Sequence, residues 1–240
     1  MTNPFANLTT TETETDYIPS SGPLDSGIYE STITMAYQGV SKNGAAFIAL
    51  TLESNGRTHS EKVYVTSGDA KGNKATYTDK KSGKEKPLPG YLLGSSFANL
   101  AANKTLQDLT TEEKIVNIYD YEQKKDVPTK VQVFVDLLDA PVIVGLVKTI
   151  VDKTELNDSG AYVATGETRE QTQINKVFRA SDKKTVAEAL VQDSEANYIK
   201  NWEKRYTDTL KDNSTKNVAG VQGAPAAPGA TPKPSQSLWG

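Results

Sequence analysis

Cysteine is absent from all 240 residues, and histidine occurs once, at His59. The first absence excludes disulfides and thiolate metal sites, and the second leaves no histidine cluster to hold a zinc ion. No window approaches the roughly 18 consecutive apolar residues of a membrane span. The opening MTNPFANLTTTETETD has neither a basic n-region nor an apolar h-region. A soluble chain of intracellular type, with no membrane partner, is the expectation. Catalytic constellations are missing too. There is no H-E-x-x-H, no nucleophile elbow and no kinase set, and His59 has no evident partner, so no catalytic residue, metal or cofactor is expected. SGDAKGNK, at Ser67–Lys74, lacks the four-residue gap before Gly-Lys and the following Ser/Thr of a P-loop. The acidic pairs Glu112-Glu113 and Asp136/Asp139 read as solvated charge or helix-end caps rather than as magnesium ligands.

Basic residues are missing from one region in particular. Residues 1 to 30 hold Glu12, Glu14, Asp16, Asp25 and Glu30 with no Lys or Arg, so they carry a charge of −5 and the remainder carries +2. The Thr/Glu/Ser-rich stretch 1–22 reads as a flexible acidic arm. The folded part is expected to start near Gly27. Tyr29, Ile33, Met35 and Tyr37 fall on one alternation, the period of a half-buried strand. Ala46, Ile48, Leu50 and Leu52 alternate against Phe47, Ala49 and Thr51. Asn55-Gly56 then signals a hairpin into a third strand, with Val63 and Val65 on one face and Lys62 and Tyr64 on the other. YLLGSSFANL spaces Leu92, Leu93, Phe97 and Leu100 as a short helix. Ile115 to Tyr119 and KVQVFVDLL suggest further extended segments, and PVIVGLVKTIVDKT is apolar on both faces, as a buried strand with a bulge or bend at Gly145. NDSGAYVATGE is expected to connect it to a last strand, TQINKVFRA. Five to seven strands with one interposed helix predict a mainly β domain over 23–183, built as a small barrel.

Between strand three and that helix lies the most basic stretch of the chain. Lys71, Lys74, Lys80, Lys81, Lys84 and Lys86 stand against Asp79 and Glu85, a local charge of +4. Composition alone favours a solvated loop. Its flanks are aromatic, however: Tyr64 with Lys62 before it, Tyr77 within it and Tyr91 after PLPG. Lysines neutralise phosphates, and tyrosines stack on unpaired bases for about 1–3 kcal/mol each. The glycines beside Asn73 let a backbone follow an irregular strand.

Residues 184–213 change character. Tyr198, Trp202, Tyr206 and Leu210 recur every four residues, a stripe that packs against something, either the barrel or a partner, with Ser194 as the expected N-cap. Residues 214–240, rich in Pro, Ala and Gly, are expected to be disordered up to Leu238-Trp239-Gly240.

The segments SGPLDSGIY, YVTSGDAKGNKATY, PLPGY, TEEKIVNIYDYEQKKDVPTKV, VIVGLVKTIVDKT and TGETREQTQINKVFRA, followed by TVAEA, resemble those of tailed-phage replication single-stranded DNA-binding proteins, over about Ser21 to Ala189. The resemblance implies an OB-fold, a five-stranded Greek-key barrel with one interposed helix, here with a long basic loop and a C-terminal helix. It implies no catalysis, and a sequence-independent coating of single-stranded DNA in replication, recombination and repair, in the cytoplasm of an infected bacterium. Phage or host replication and recombination proteins would be partners, with duplex DNA and homo-oligomers left open. By likeness, DNA contact falls on the loop matched at Ser67, Gly68, Ala70, Lys71, Gly72 and Asn73, with Tyr77 and Tyr91. The charge and ring argument adds Lys62, Tyr64, Lys74, Lys80, Lys81, Lys84 and Lys86, and the aromatic stripe and the aromatic end of the tail put partner contact on Tyr198, Trp202, Tyr206 and Trp239. One departure stands out: no Asp or Glu follows Asp212, where such proteins commonly end in an acidic tail. A second expectation, from another class, is an oligomeric assembly module that binds no nucleic acid.

Overall fold

A computed structural model describes residues 22–120, 123–157 and 162–215. Most of the acidic arm and nearly all of the tail, Trp239 included, therefore lie outside the described residues.

The expected meander is present. β1 (Gly27–Val40) pairs antiparallel with β2 (Ala46–Ser54), and β2 with β3 (Arg57–Tyr64). The β2–β3 turn has φ of 50° at Asn55 and 74° at Gly56, the two positive values that a type I′ hairpin demands. The alternation read in β1 holds only as far as Ile33. Thr34 is an extra residue between the Ile33↔Leu52 and Met35↔Thr51 pairs, and this bulge inverts the phase. Ala36, fully buried, takes the core position that Met35 and Tyr37 were expected to share.

The other edge of β1 is divided. Gly27–Thr32 pairs with β8 (Pro141–Leu156), while Tyr37 and Gln38 pair with β7 (Lys125–Phe134). β7 forms a long hairpin with β6 (Thr111–Asp120). β8 pairs along its length with β9 (Tyr162–Arg179), which includes residues expected to be a loop, since Leu156↔Tyr162, Glu155↔Val163 and Thr154↔Ala164 are in register. The expected irregularity at Gly145 is there as a register shift between Gly145 and Leu146 that leaves Asn175 of β9 unpaired. With β10 (Leu210–Asp212) added in parallel to β8, eight strands form one large, otherwise antiparallel sheet. The molecule is mainly β. No backbone ladder joins β3 to β9 among the described residues, so the strand order does not close into a ring.

The main core lies where the two halves of this sheet face α1 (Pro89–Ala102). Ile33, Ile48, Leu50, Leu52 and Val63 meet Val142, Val144, Leu146, Ile174 and Val177, with Phe97 and Leu100 of α1 between them. Burying Phe97 completely contributes about 2–3 kcal/mol. Leu92, expected on the same helical face, is exposed instead. Pro89 opens α1 at its first turn, where the missing N–H costs nothing. Gly90 sits against the end of β3, and a Cβ there would lie 1.9 Å from the Tyr64 carbonyl oxygen. Only glycine lets the helix start where β3 stops.

A second, smaller core explains the aromatic stripe. The single helix expected after Thr185 is two: α2 (Val186–Leu190) and α3 (Asn197–Tyr206), separated by a left-handed Gln192. Ser194 caps neither; Thr185 caps α2 and Ala196 precedes α3. Ile199 and Trp202 of α3 pack on Ile143, Val147 and Phe178, on the face of β8 and β9 opposite the main core. A Cβ on Gly145 would fall 2.7 Å from the Trp202 indole, so the glycine that bends β8 also seats the tryptophan.

Candidate nucleic-acid interface

Alternation assigns Lys62 and Tyr64 to the face of β3 opposite the buried Val63. The register places Phe47 directly across from Tyr64, and the two rings meet edge to face with centroids 5.6 Å apart. The Lys62 ammonium lies 5.1 Å from the Phe47 centroid. Tyr37, paired with Ala49 and thereby aligned with Lys62, extends this face, and burial raises its phenol pKa. Phe47 is 9% exposed with its ring seated on Gly39, so it supports Tyr64 and Lys62 from below, while the half-buried Tyr37 is a candidate that sequence reasoning passed over. The signal for Phe47 was available: Phe47 and Tyr64 fall opposite each other once the Asn55-Gly56 turn sets the register.

The basic loop is less irregular than its composition suggested. Ser67–Lys74 folds on itself around a single 3-10 turn at Asp69–Lys71, closed by Ser67 N–H to the Lys74 carbonyl (2.9 Å) and Asn73 N–H to the Gly68 carbonyl (2.8 Å). Asp69 N–H reaches the Asn43 carbonyl (2.9 Å), which fastens the loop to the β1–β2 turn. Asn73 was expected to touch DNA, but it has φ of 48° and its side-chain oxygen accepts the Thr66 hydroxyl proton. Its role is to shape the loop. Beyond it, β4 (Thr76–Thr78) and β5 (Glu85–Pro87) form a separate two-stranded hairpin with Tyr77 opposite Lys86.

Asp79 organises that hairpin's turn. One carboxylate oxygen accepts from the Lys81 and Ser82 amides and the Ser82 hydroxyl, and the other from the Lys86 ammonium at 2.8 Å. The Lys86 contact, followed by the Ser82 bonds, lowers the Asp79 pKa to about 2. Lys86, expected to meet phosphate, is thus paired within the hairpin. Lys62, Lys71, Lys74, Lys80, Lys81 and Lys84 have no ion pair among the described residues, and all are exposed. Tyr77 is 42% exposed and Tyr64 47%. Tyr91 differs from both. It lies half-buried in the first turn of α1, and its hydroxyl accepts a hydrogen bond from the Gln107 amide (3.2 Å), so it serves first to anchor the helix.

The expected partner-binding residues separate in the same way. Trp202 is 2% exposed and donates its indole N–H to Asn175 (2.8 Å); it is spent inside the molecule and cannot meet a partner. Tyr206 stacks on it at 5.0 Å and is half-buried. Tyr198 remains 46% exposed. The buried Glu188 clasps this region together, accepting from the Thr185 amide and hydroxyl and from the Tyr198 amide (2.7 Å). Burial raises the Glu188 pKa, but these donors outweigh it and the net shift is downward.

No group of metal-ligating side chains occurs among the described residues, and no helix among them is long and apolar enough to cross a membrane. No protein-family model and no curated protein matches this chain.

Proposed function

We propose that this chain binds single-stranded DNA without strong sequence preference and catalyses nothing. The observation that carries the reading is the pairing of exposed rings, Tyr64 backed by the buried Phe47 and Tyr77 on the hairpin, with Lys62 and a basic loop and hairpin whose lysines are almost all unpaired. Rings supply base stacking of about 1–3 kcal/mol each, and ammonium groups supply a salt-dependent phosphate term. Coating of strands exposed in phage replication, recombination and repair, alongside phage or host proteins in the bacterial cytoplasm, follows from the resemblance quoted above.

The same proposal includes an OB-like barrel made of β1, β2, β3, β8 and β9, with α1 interposed and the β6–β7 hairpin as an insertion. Two observations support it. β1 is shared along one edge between β7 and β8. The backbone N–H of Ile174 in β9 donates to the Glu61 carboxylate of β3 at 2.7 Å, bridging the place where a ladder would complete the ring.

A second reading, an assembly module, is favoured by Ile115 (69% exposed) and Tyr119, which share one face of the outlying β6–β7 hairpin. One experiment separates the two. A labelled oligonucleotide is titrated at low and high salt, with duplex competitor, and the mass of the protein is followed alone and in the complex. Binding that weakens with salt and resists duplex is expected. Absent or salt-indifferent binding overturns the proposal, and self-association without DNA binding selects the assembly module.

A further inference from the structure

We infer that the DNA path does not end on β3 but crosses the seam to β9 and continues onto Lys176 and Tyr198, a second stacking station. This rests on the single-strand-binding reading above. The seam is fixed rather than open: Glu61 of β3 accepts from the Ile174 amide at 2.7 Å and is also joined to His59 Nε2 at 3.2 Å. A groove runs along it, with Lys62 and Tyr64 on one wall and Gln173 and Asn175 on the other. Val63 and Val177 both point into the main core, so Lys62 and Tyr64 on β3 and Lys176 on β9 share the outer side.

Chemistry repeats across that groove. On the β3 side the Lys62 ammonium sits over an aromatic ring at 5.1 Å; on the β9 side Lys176 sits over the Tyr198 ring at 4.9 Å. Lys176 has no ion pair among the described residues. Tyr198 is held without being used up. Glu188 fixes its backbone amide, Phe178 lies beside its ring with centroids 6.3 Å apart, and Ile199 and Trp202 do the docking of α3. The carboxylates along the way are committed: Glu61 to Ile174 and His59, Glu188 to Thr185 and Tyr198, and Glu195 to Lys200 at 3.2 Å. Charge complementarity and continuity with the β3 face select an anionic strand carrying flat bases as the occupant. Gln173, whose side-chain amide makes no bond within the described residues, stands where a base edge would pass.

The test compares oligothymidylates of increasing length on the full chain. Tyr198→Ala is expected to match the parent on the shortest oligomers that bind, which fill only the β3 station, and to lose about tenfold or more on longer ones. Lys176→Ala is expected to reduce the salt slope by about 0.7 on the long oligomers alone. Tyr198→Phe, which keeps the ring, is expected to restore parental binding, and Tyr198→Leu repeats the loss in a variant that keeps an apolar side chain should the alanine variant not fold. Equal losses at every length, or none at any length, overturn the inference while leaving the β3 site intact. A parent that binds no oligomer overturns the underlying reading, and this inference with it.

Discussion

The stretches Ser67–Pro87 and Thr185–Thr215 are both polar in the sequence and marked by tyrosine, Tyr77 in the first and Tyr198 and Tyr206 in the second. In the folded chain they are opposites. The first is held mainly by short-range bonds, Asp79 to its own turn and Asn73 to Thr66, with one longer tie from the Asp69 amide to the Asn43 carbonyl, and turns its lysines outward. The second is held by distant partners: Trp202 to Gly145 and Asn175, and Leu210–Asp212 to β8. Side chains with no internal partner, such as Lys71 and Lys80, remain available to a ligand, whereas an aromatic that fills a cavity in the fold is already spent.

Breaking the buried side of this contrast has the largest effect. Trp202→Ala removes an indole seated on a glycine and is expected to cost about 3–5 kcal/mol, lowering Tm by roughly 10 °C. Thermal melting checks this, and the variant, when folded, is expected to keep its response to salt. On the exposed side, replacing Lys71, Lys74, Lys80 and Lys81 together with alanine is expected to leave Tm unchanged. It flattens the slope of log affinity against log salt by up to about 3, or about 0.7 for each lost phosphate contact. Lys86→Ala is expected to do less than any free lysine, because its charge already answers Asp79.

The smallest effect sharpens the comparison through pH. Glu188 titrates below its ordinary value of 4.5 in the folded protein. Its contribution to stability is complete above the unfolded value and is lost as pH falls through the lowered folded one. Urea midpoints measured between about pH 6 and pH 3 are expected to fall more steeply for the parent than for Glu188→Gln, whose cost at neutral pH is about 1 kcal/mol. Equal pH profiles would show that the clasp does not depend on its charge.

What could be read from the sequence was whatever depends on neighbours. The Asn55-Gly56 hairpin, the helix beginning near Tyr91 and the irregularity at Gly145 each follow from a few adjacent residues. The Thr34 bulge did not show, because an inserted residue leaves composition unchanged while moving Met35 and Tyr37 off the core face. Tyr162 to Ala164 read as part of a loop, yet pairing along β8 holds them extended. The site divides in the same way. Tyr64 and the free lysines were legible, but Phe47 emerged only through its cross-strand register. Asn73, Lys86 and Trp202 were chosen by residue type, and type does not reveal whether a side chain already has a partner.

Ser26 sets a condition on how the molecule is made. Its hydroxyl donates to the Thr209 carbonyl (2.5 Å) and accepts from the Lys148 amide (2.7 Å), while its carbonyl accepts from the Asp208 amide (3.1 Å). These bonds span up to 183 positions. During synthesis the sheet can assemble as its strands emerge, but the seal at Ser26 must wait until Thr209 has left the ribosome. Until then the outer face of β8 around Gly145, later covered by Trp202, is open to the surrounding medium. Between translation of β9 and release of α3, the nascent chain therefore exposes a sticky surface that the finished protein hides.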